Sequence, residues 1–180
     1  MCVTALVPVS GSANTGAAYV VTSSASGQID LRYADARIYG LTAGDRFGTS
    51  ATWAGDVNAD GYADLLVGAP ESDLGALDAG AAYLFRVETN GNITELDKVF
   101  AADKGANDLY GSALANSHEL LVVGCKYHNT NGNPDQGAAY VYRIEPNGTA
   151  VFLHKLSASD GTGNDYYGLS ISLEGKYFAI

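Results

Sequence analysis

Short apolar runs, some alternating with polar residues, recur along the whole chain, and turn-forming residues separate them. The pattern predicts strands at Thr49–Trp53, Asp64–Val67, Gly80–Val87 and Ile93–Phe100, and again at Gly137–Ile144 and Ala150–Leu156. Alternation within the third of these sets Tyr83 and Phe85 on one face. Thr89-Asn90-Gly91-Asn92 and Pro146-Asn147-Gly148 read as hairpin turns, because Asn and Gly accept the left-handed backbone such turns need. Nearer the N-terminus the same plan predicts Ala17–Thr22, a Ser/Gly turn through Gly27, and Ile29–Tyr33. No helical periodicity of useful length interrupts it.

The strands belong to a repeat. Gly16-Ala17-Ala18-Tyr19-Val20 returns as Gly80-Ala81-Ala82-Tyr83-Leu84 and as Gly137-Ala138-Ala139-Tyr140-Val141. Phe47-Gly48 returns as Tyr110-Gly111 and Tyr167-Gly168. From each Gly-Ala-Ala-Tyr to the next aromatic-Gly pair the spacing is 31, 30 and 30 residues, but from aromatic-Gly to the next Gly-Ala-Ala-Tyr it is 33 and then 27. That period suits a four-stranded unit rather than a solenoid coil. The longer copy holds a discrete insertion, and the shorter bridges the same strands with Ala115-Asn116-Ser117-His118-Glu119, an ordinary turn.

The insertion reads Asp56-Val57-Asn58-Ala59-Asp60-Gly61-Tyr62-Ala63-Asp64. Asp56, Asn58, Asp60 and Asp64 occupy positions 1, 3, 5 and 9 of a calcium loop, Gly61 the sharp turn at position 6, and Tyr62 the carbonyl position 7. Oxygen donors without His or Cys suit a hard cation, and a flexible crowd of carboxylates suits Ca²⁺ better than Mg²⁺. Position 12, a bidentate Glu in an EF-hand, is Val67, and no amphipathic helix flanks the loop. The loop therefore joins two strands. A solvated turn favours the same residues, but the shorter copy makes its turn without them. The expected cofactor is Ca²⁺, held by Asp56, Asn58, Asp60, Tyr62 and Asp64.

Four short strands per repeat, with small residues at fixed offsets, predict an all-β fold of β-propeller blades with four antiparallel strands each. Phe47-Gly48, the calcium loop, Gly68-Ala69-Pro70 and Gly80-Ala81-Ala82-Tyr83 together resemble the FG-GAP repeats of the integrin α-subunit β-propeller and its bacterial relatives. The repeat divides the chain into 1–46, a partial blade with strands 2–4; 47–109, a complete blade with the calcium loop; 110–166, a complete blade without it; and 167–180, the start of a further blade. In the third unit Tyr110-Gly111 stands for Phe-Gly, and Gly124-Cys125-Lys126 replaces Gly-Ala-Pro. Propellers close with about 4–8 blades, so the ring is incomplete. The expectation is a piece of a longer protein. The alternatives are a chain that closes a ring with its own copies, with Tyr167–Leu173 completing an N-terminal blade, or an open arc with exposed edges. The resemblance implies a calcium-stabilised extracellular or cell-surface adhesion module. Its partner would be a protein or glycan, met by the loops Glu71–Ala79, Lys126–Gln136, Ala101–Leu109 and Ser157–Tyr166. The alternative is the propeller portion of a larger secreted hydrolase or lyase, acting on phospholipid or polysaccharide.

Composition narrows the partners. Ten basic against twenty acidic residues give −10, which argues against nucleic acid and anionic membranes. No apolar run is long enough to span a bilayer, and Met1–Ser10 lacks the basic start and length of a signal peptide. Cys2 and Cys125 form no recognisable framework and read as two free or buried thiols. Asn92-Ile93-Thr94 and Asn147-Gly148-Thr149 are glycosylation sequons on turns, of consequence only in a secreting eukaryote. His118, His128 and His154 are scattered and read as surface or structural residues, and no nucleophile elbow or phosphate loop is present, so no catalytic residue is expected. Asp45, Asp108 and Asp165, each two residues before an aromatic-Gly pair, read as turn caps rather than a catalytic ring. Tyr19, Tyr83 and Tyr140 recur at one strand position and belong to packing, and Trp53 is expected between blades.

Overall fold

Alternation and turn chemistry give four antiparallel sheets. The computed structural model describes residues 2–5, 14–21, 30–117, 120–130, 132–175 and 177–180. The first sheet holds β1 (Cys2–Ala5), β2 (Ala17–Val20) and β3 (Ala36–Tyr39) in that order. The second holds β4 (Ser50–Gly55), β5 (Ala63–Ala69), β6 (Ala81–Val87) and β7 (Ile93–Val99), and the third β8 (Tyr110–Ser117), β9 (Leu120–Cys125), β10 (Ala138–Ile144) and β11 (Ala150–Leu156). A hairpin of β12 (Ser172–Glu174) and β13 (Tyr177–Ala179) forms the last. The fold is all-β, with four-stranded blade-type sheets, no closed barrel and no α-helix among the described residues.

The two predicted turns close alike. Glu88 N–H donates to the Asn92 carbonyl at 2.9 Å and Glu145 N–H to that of Thr149 at 2.8 Å. In both, an Asn side chain accepts from the backbone two residues on, Asn90 from Asn92 and Asn147 from Thr149. The turn through Gly27 and the centre of the 115–119 turn, with His118, lie outside the described residues.

Two expectations need correction. Ile29–Tyr33 is not a strand in its described part: Leu31–Tyr33 is a 3₁₀ turn, because the Asp30 carboxylate caps it by accepting from Arg32 N–H at 2.9 Å. The strand that pairs with β2 is Ala36–Tyr39, whose Ala36 and Ile38 are buried while Arg37 and Tyr39 face out. The strand expected within Tyr167–Leu173 is Ser172–Glu174, since Tyr167-Gly168 is spent on contact with the preceding sheet.

That contact explains the spacing. Phe47, Tyr110 and Tyr167 each form a parallel bridge to the glycine of the preceding Gly-Ala-Ala-Tyr: Gly16, Gly80 and Gly137. The aromatic residue's N–H reaches the carbonyl just before that glycine, at 3.1 Å for Thr15, 2.9 Å for Ala79 and 2.8 Å for Gln136. The segment of constant length is therefore tied to itself at its two ends. Gly111 has φ +89°, and a Cβ there would sit 2.4 Å from the Ala81 carbonyl oxygen. Only glycine can make the approach.

Side chains fill the gaps between sheets. Ala18, Val20, Ile38, Phe47, Leu65, Val67 and Phe85 form a core between the first and second, and Trp53 packs partly buried against it, between sheets as expected. Leu66, Leu84, Tyr110, Leu121, Val123, Tyr140 and Tyr142 join the second to the third.

Gly111→Ala should lose about 2–4 kcal/mol in equilibrium denaturant unfolding, because steric overlap adds to left-handed strain. Gly44 also has positive φ but open space, and Asn107 and Asn164 hold the equivalent place before Asp108 and Asp165. Gly44→Asn should therefore shift stability by less than about 0.5 kcal/mol.

Candidate functional site

The insertion forms the hairpin between β4 and β5, and its side chains organise its own backbone. Asp56 Oδ1 accepts from Asp60 N–H and Oδ2 from Gly61 N–H, both at 3.0 Å. Asn58 Oδ1 accepts from Asp60 N–H at 3.2 Å, and its amide donates to Asp60 Oδ2 at 3.0 Å. Asp60 Oδ1 accepts from Tyr62 N–H at 3.0 Å. Ala59 and Gly61, at φ 56° and 88°, let the loop curl so that Asp56, Asn58 and Asp60 gather on its inside.

Asp64 lies at the base of this group, on β5, and is fully buried. Its Oδ2 accepts from Val57 N–H at 2.8 Å, but its Oδ1 has no partner. Burial, with the charges of Asp60 and Asp56, pushes its carboxyl up to about 6 although the backbone N–H groups of Val57 and Asn58 oppose the rise. The third sheet supplies a comparison. Asp64 pairs across β6 with Arg86, and the residue paired across β10 with Arg143 is Leu120. Of the second and third sheets, the one that carries the insertion has the buried acid.

Arg86 was not legible as part of the site. It donates to Glu88 at 2.5 Å, lies 3.5 Å from Asp60 Oδ2, and sits 5.5 Å above the Tyr62 ring. Burial raises the Asp60 carboxyl, but bonds from Tyr62 N–H, Asn58 and Arg86 outweigh it and hold the group below its usual range. The Arg143–Glu145 pair repeats Arg86–Glu88 in the third sheet at 2.6 Å, so the pair belongs to the repeat and only its reach to Asp60 is particular.

The donor set fits a hard cation. Two carboxylates and one amide oxygen face a common loop interior, and the orphaned oxygen of a third carboxylate, Asp64, lies beneath them. Leaving Asp64 Oδ1 unmatched would cost about 1–3 kcal/mol. The hairpin brings together the side chains of Asp56, Asn58, Asp60 and Asp64, while Tyr62 is fixed through its N–H and ring.

A second polar cluster was missed, because its members are distant in sequence. His128, nearly buried, places Nδ1 2.7 Å from Asp108 Oδ2 and Nε2 2.7 Å from Lys155 Nζ. Lys155 and the Tyr140 hydroxyl both donate to Asp103, at 2.6 and 2.7 Å. Cys125, a free buried thiol, donates to the Asp108 carbonyl at 3.4 Å, and burial pushes its titration well up. Donor atoms of Asp108, Cys125 and His128 lie within 4.8 Å of one another. Both ring nitrogens of His128 are already engaged, however, so the group is a closed hydrogen-bonded cluster. The ammonium can only donate, so Nε2 accepts from Lys155 and Nδ1 carries the proton given to Asp108. The recurring Asp caps its turn as expected: Gly105 N–H donates to Asp108 and Thr162 N–H to Asp165, both at 2.5 Å. His154 is exposed.

The four loops expected to meet a partner join in pairs. Asn107 and Leu109 N–H donate to the carbonyls of Leu77 and Asp78, at 2.8 and 3.2 Å. Asn164 and Tyr166 N–H donate to those of Pro134 and Asp135, at 3.0 and 3.2 Å. Each pair spans the junction between one sheet and the next.

Comparison with known proteins agrees with this architecture. Two FG-GAP repeat family models match, one at residues 47–85 and one at 93–142. Integrin alpha-6 of Gallus gallus is 32% identical over 79 residues, covering 44% of this chain and 7% of that protein. Integrin alpha-PS5 of Drosophila melanogaster is 32% identical over 110 residues, covering 59% of this chain and 10% of that protein. The chain spans about a tenth or less of the length of these relatives.

In metal-free protein Asp64 should set a pH dependence. Its folded value of about 6 lies above the ordinary carboxylate value of 3.8, so its contribution to stability is full below that lower value and is lost as pH rises through the higher one. Thermal or denaturant unfolding in chelator should show stability falling by about 1–2 kcal/mol over that window. Asp64→Asn should flatten the fall.

Proposed function

We propose, from the premise that this chain is an FG-GAP repeat protein similar to integrin α subunits, that it is a calcium-stabilised extracellular binding module of adhesion type. The observation that carries the reading is Asp64, fully buried with one unpartnered oxygen at the floor of an acidic loop. Asp56, Asn58, Asp60 and Asp64 would hold Ca²⁺ with side-chain oxygens, and Tyr62 with its carbonyl. When bound, the ion supplies positive charge to carboxylates that otherwise repel. The chain's own residues do the rest. Asp56 fixes the curl through two N–H groups, and Arg86 offsets part of the loop's charge from outside.

With β4 and β5 pinned, the sheet is a firm support for the paired loops at 71–79 with 101–109 and 126–136 with 157–166. Those loops are the surface offered to a protein or glycan partner. The names of the relatives identify integrins, and the carboxylates here are engaged in turns and ion pairs, so we assign the module binding rather than catalysis.

Calcium titration followed by melting temperature tests the reading. An affinity of about 10⁻⁴–10⁻³ M, the range of extracellular modules, should give about 1.4 kcal/mol at ten times the dissociation constant. Asp60→Ala in saturating Ca²⁺ should melt close to the parent in chelator. A mutant that melts like the calcium-saturated parent would refute the site.

A further inference from the structure

The junction between the first and second sheets shares its backbone with the junction between the second and third, but not its filling. Ser72 N–H bonds the Ala69 carbonyl at 3.2 Å and its own carbonyl accepts from Gly80 at 2.9 Å; His128 makes the same bonds, at the same distances, to Cys125 and Gly137. Ser72 and His128 therefore hold equivalent places. The carbonyls of Asp45 and Asp108 correspond too, each accepting at 3.3 Å, from Glu71 and Tyr127. Lys98 faces Tyr83 across β6–β7 as Lys155 faces Tyr140 across β10–β11, and in both the ammonium lies 5.7 Å from the ring centroid.

In the later junction the His128 ring occupies the space between the acid and the lysine, 2.7 Å from each. In the earlier one that ring is replaced by the hydroxymethyl of Ser72, and the thiol of Cys125 by the methyl of Ala69. A cavity of about 520 Å³ opens there, against 310 Å³ beside the later cluster. Phe47, Tyr83 and Phe85 wall it, and Asp45 and Lys98 line it. Asp45 is only 8% exposed. Burial, with the charges of Asp73 and Asp78, raises its carboxyl although the Thr42 and Ser72 hydroxyls donate to it.

We propose that this pocket binds an imidazole-class ring, placing its N–H on Asp45 and its free nitrogen toward Lys98, as His128 is placed in the later junction. The ring is either a free heterocycle or a histidine side chain of a partner. Three aromatic walls supply the apolar contact, and a buried carboxylate rewards a donor more than an acceptor. The acceptor nitrogen suits an ammonium, which can only donate. The site is separate from the 55–64 hairpin and requires no metal.

The test is titration of the whole chain with 4-methylimidazole and with N-acetylhistidine amide, read by NMR shifts of the Tyr83 and Phe85 rings. Saturable binding of 4-methylimidazole is expected, and 1-methylimidazole, which lacks the N–H, should bind at least about tenfold more weakly for want of one charge-assisted hydrogen bond. Asp45→Asn should weaken binding similarly. Because Asp45 also caps its turn, Ser72→His is the second variant: it should raise the melting temperature and abolish binding by filling the pocket. If both probes bind, a histidine side chain is the fitting guest; if 4-methylimidazole alone binds, it is a free heterocycle. No saturable binding, equal binding of 1-methylimidazole or p-cresol, or undiminished binding to a folded Ser72→His variant would overturn the proposal.

Discussion

The structure depends on the approach of one backbone to another at each sheet junction. Phe47, Tyr110 and Tyr167 lay their amide groups against Gly16, Gly80 and Gly137, and the following glycine comes so near the next carbonyl that no side chain fits. Gly48, Gly111 and Gly168 all have φ near +88° and would place a Cβ 2.3–2.4 Å from the oxygens of Ala17, Ala81 and Ala138. Backbone contact of this kind cannot be relaxed by rotating a side chain. It therefore fixes how one sheet sits on the next, and the aromatic side chain is delivered into the gap as filler. Phe47 reaches the first core and Tyr110 the second.

This constraint also decides where the chain is free to vary. The stretch from Gly-Ala-Ala-Tyr to aromatic-Gly is held at both ends, so its length barely changes. The stretch from aromatic-Gly to the next Gly-Ala-Ala-Tyr is held only by ordinary strand pairing, and a hairpin in it can lengthen without moving the junctions. The 55–64 loop grew there. Hydrophobic spacing made both facts legible, because sheet pairing and turn chemistry are local. What it hid was of two kinds. The strand at Ala36–Tyr39 follows a turn set by one capping bond from Asp30, and the short alternation that marks it is easily lost beside that turn. The cluster of His128, Asp108, Asp103, Lys155 and Tyr140 assembles from four separate segments, and no spacing along the chain announces it.

The loop itself was partly legible. Asp56, Asn58 and Asp60 show their character by spacing, and each is turned inward as a curl of this kind requires. Arg86 was invisible, because its place beside Asp60 depends on the pairing of β5 with β6. Most of the hydrogen bonds in the curl run from the loop's own amides to its side-chain oxygens. Under the proposed function, what a cation would relieve is the repulsion among the carboxylates that these bonds gather.

Asp64 is the residue on which our reading of a site rather than a turn rests. A turn rich in Asp and Asn needs no acid beneath it, and the third sheet, which closes the same hairpin without the insertion, has Leu120 at that place. Leucine there adds apolar burial; an aspartate that lacks a partner for one oxygen subtracts stability. The acid accompanies the insertion, so the two form one device. Our proposal accounts for a residue that weakens the empty fold by placing a cation among the oxygens above it. On that proposal, stability at the hairpin would follow the surrounding ion concentration.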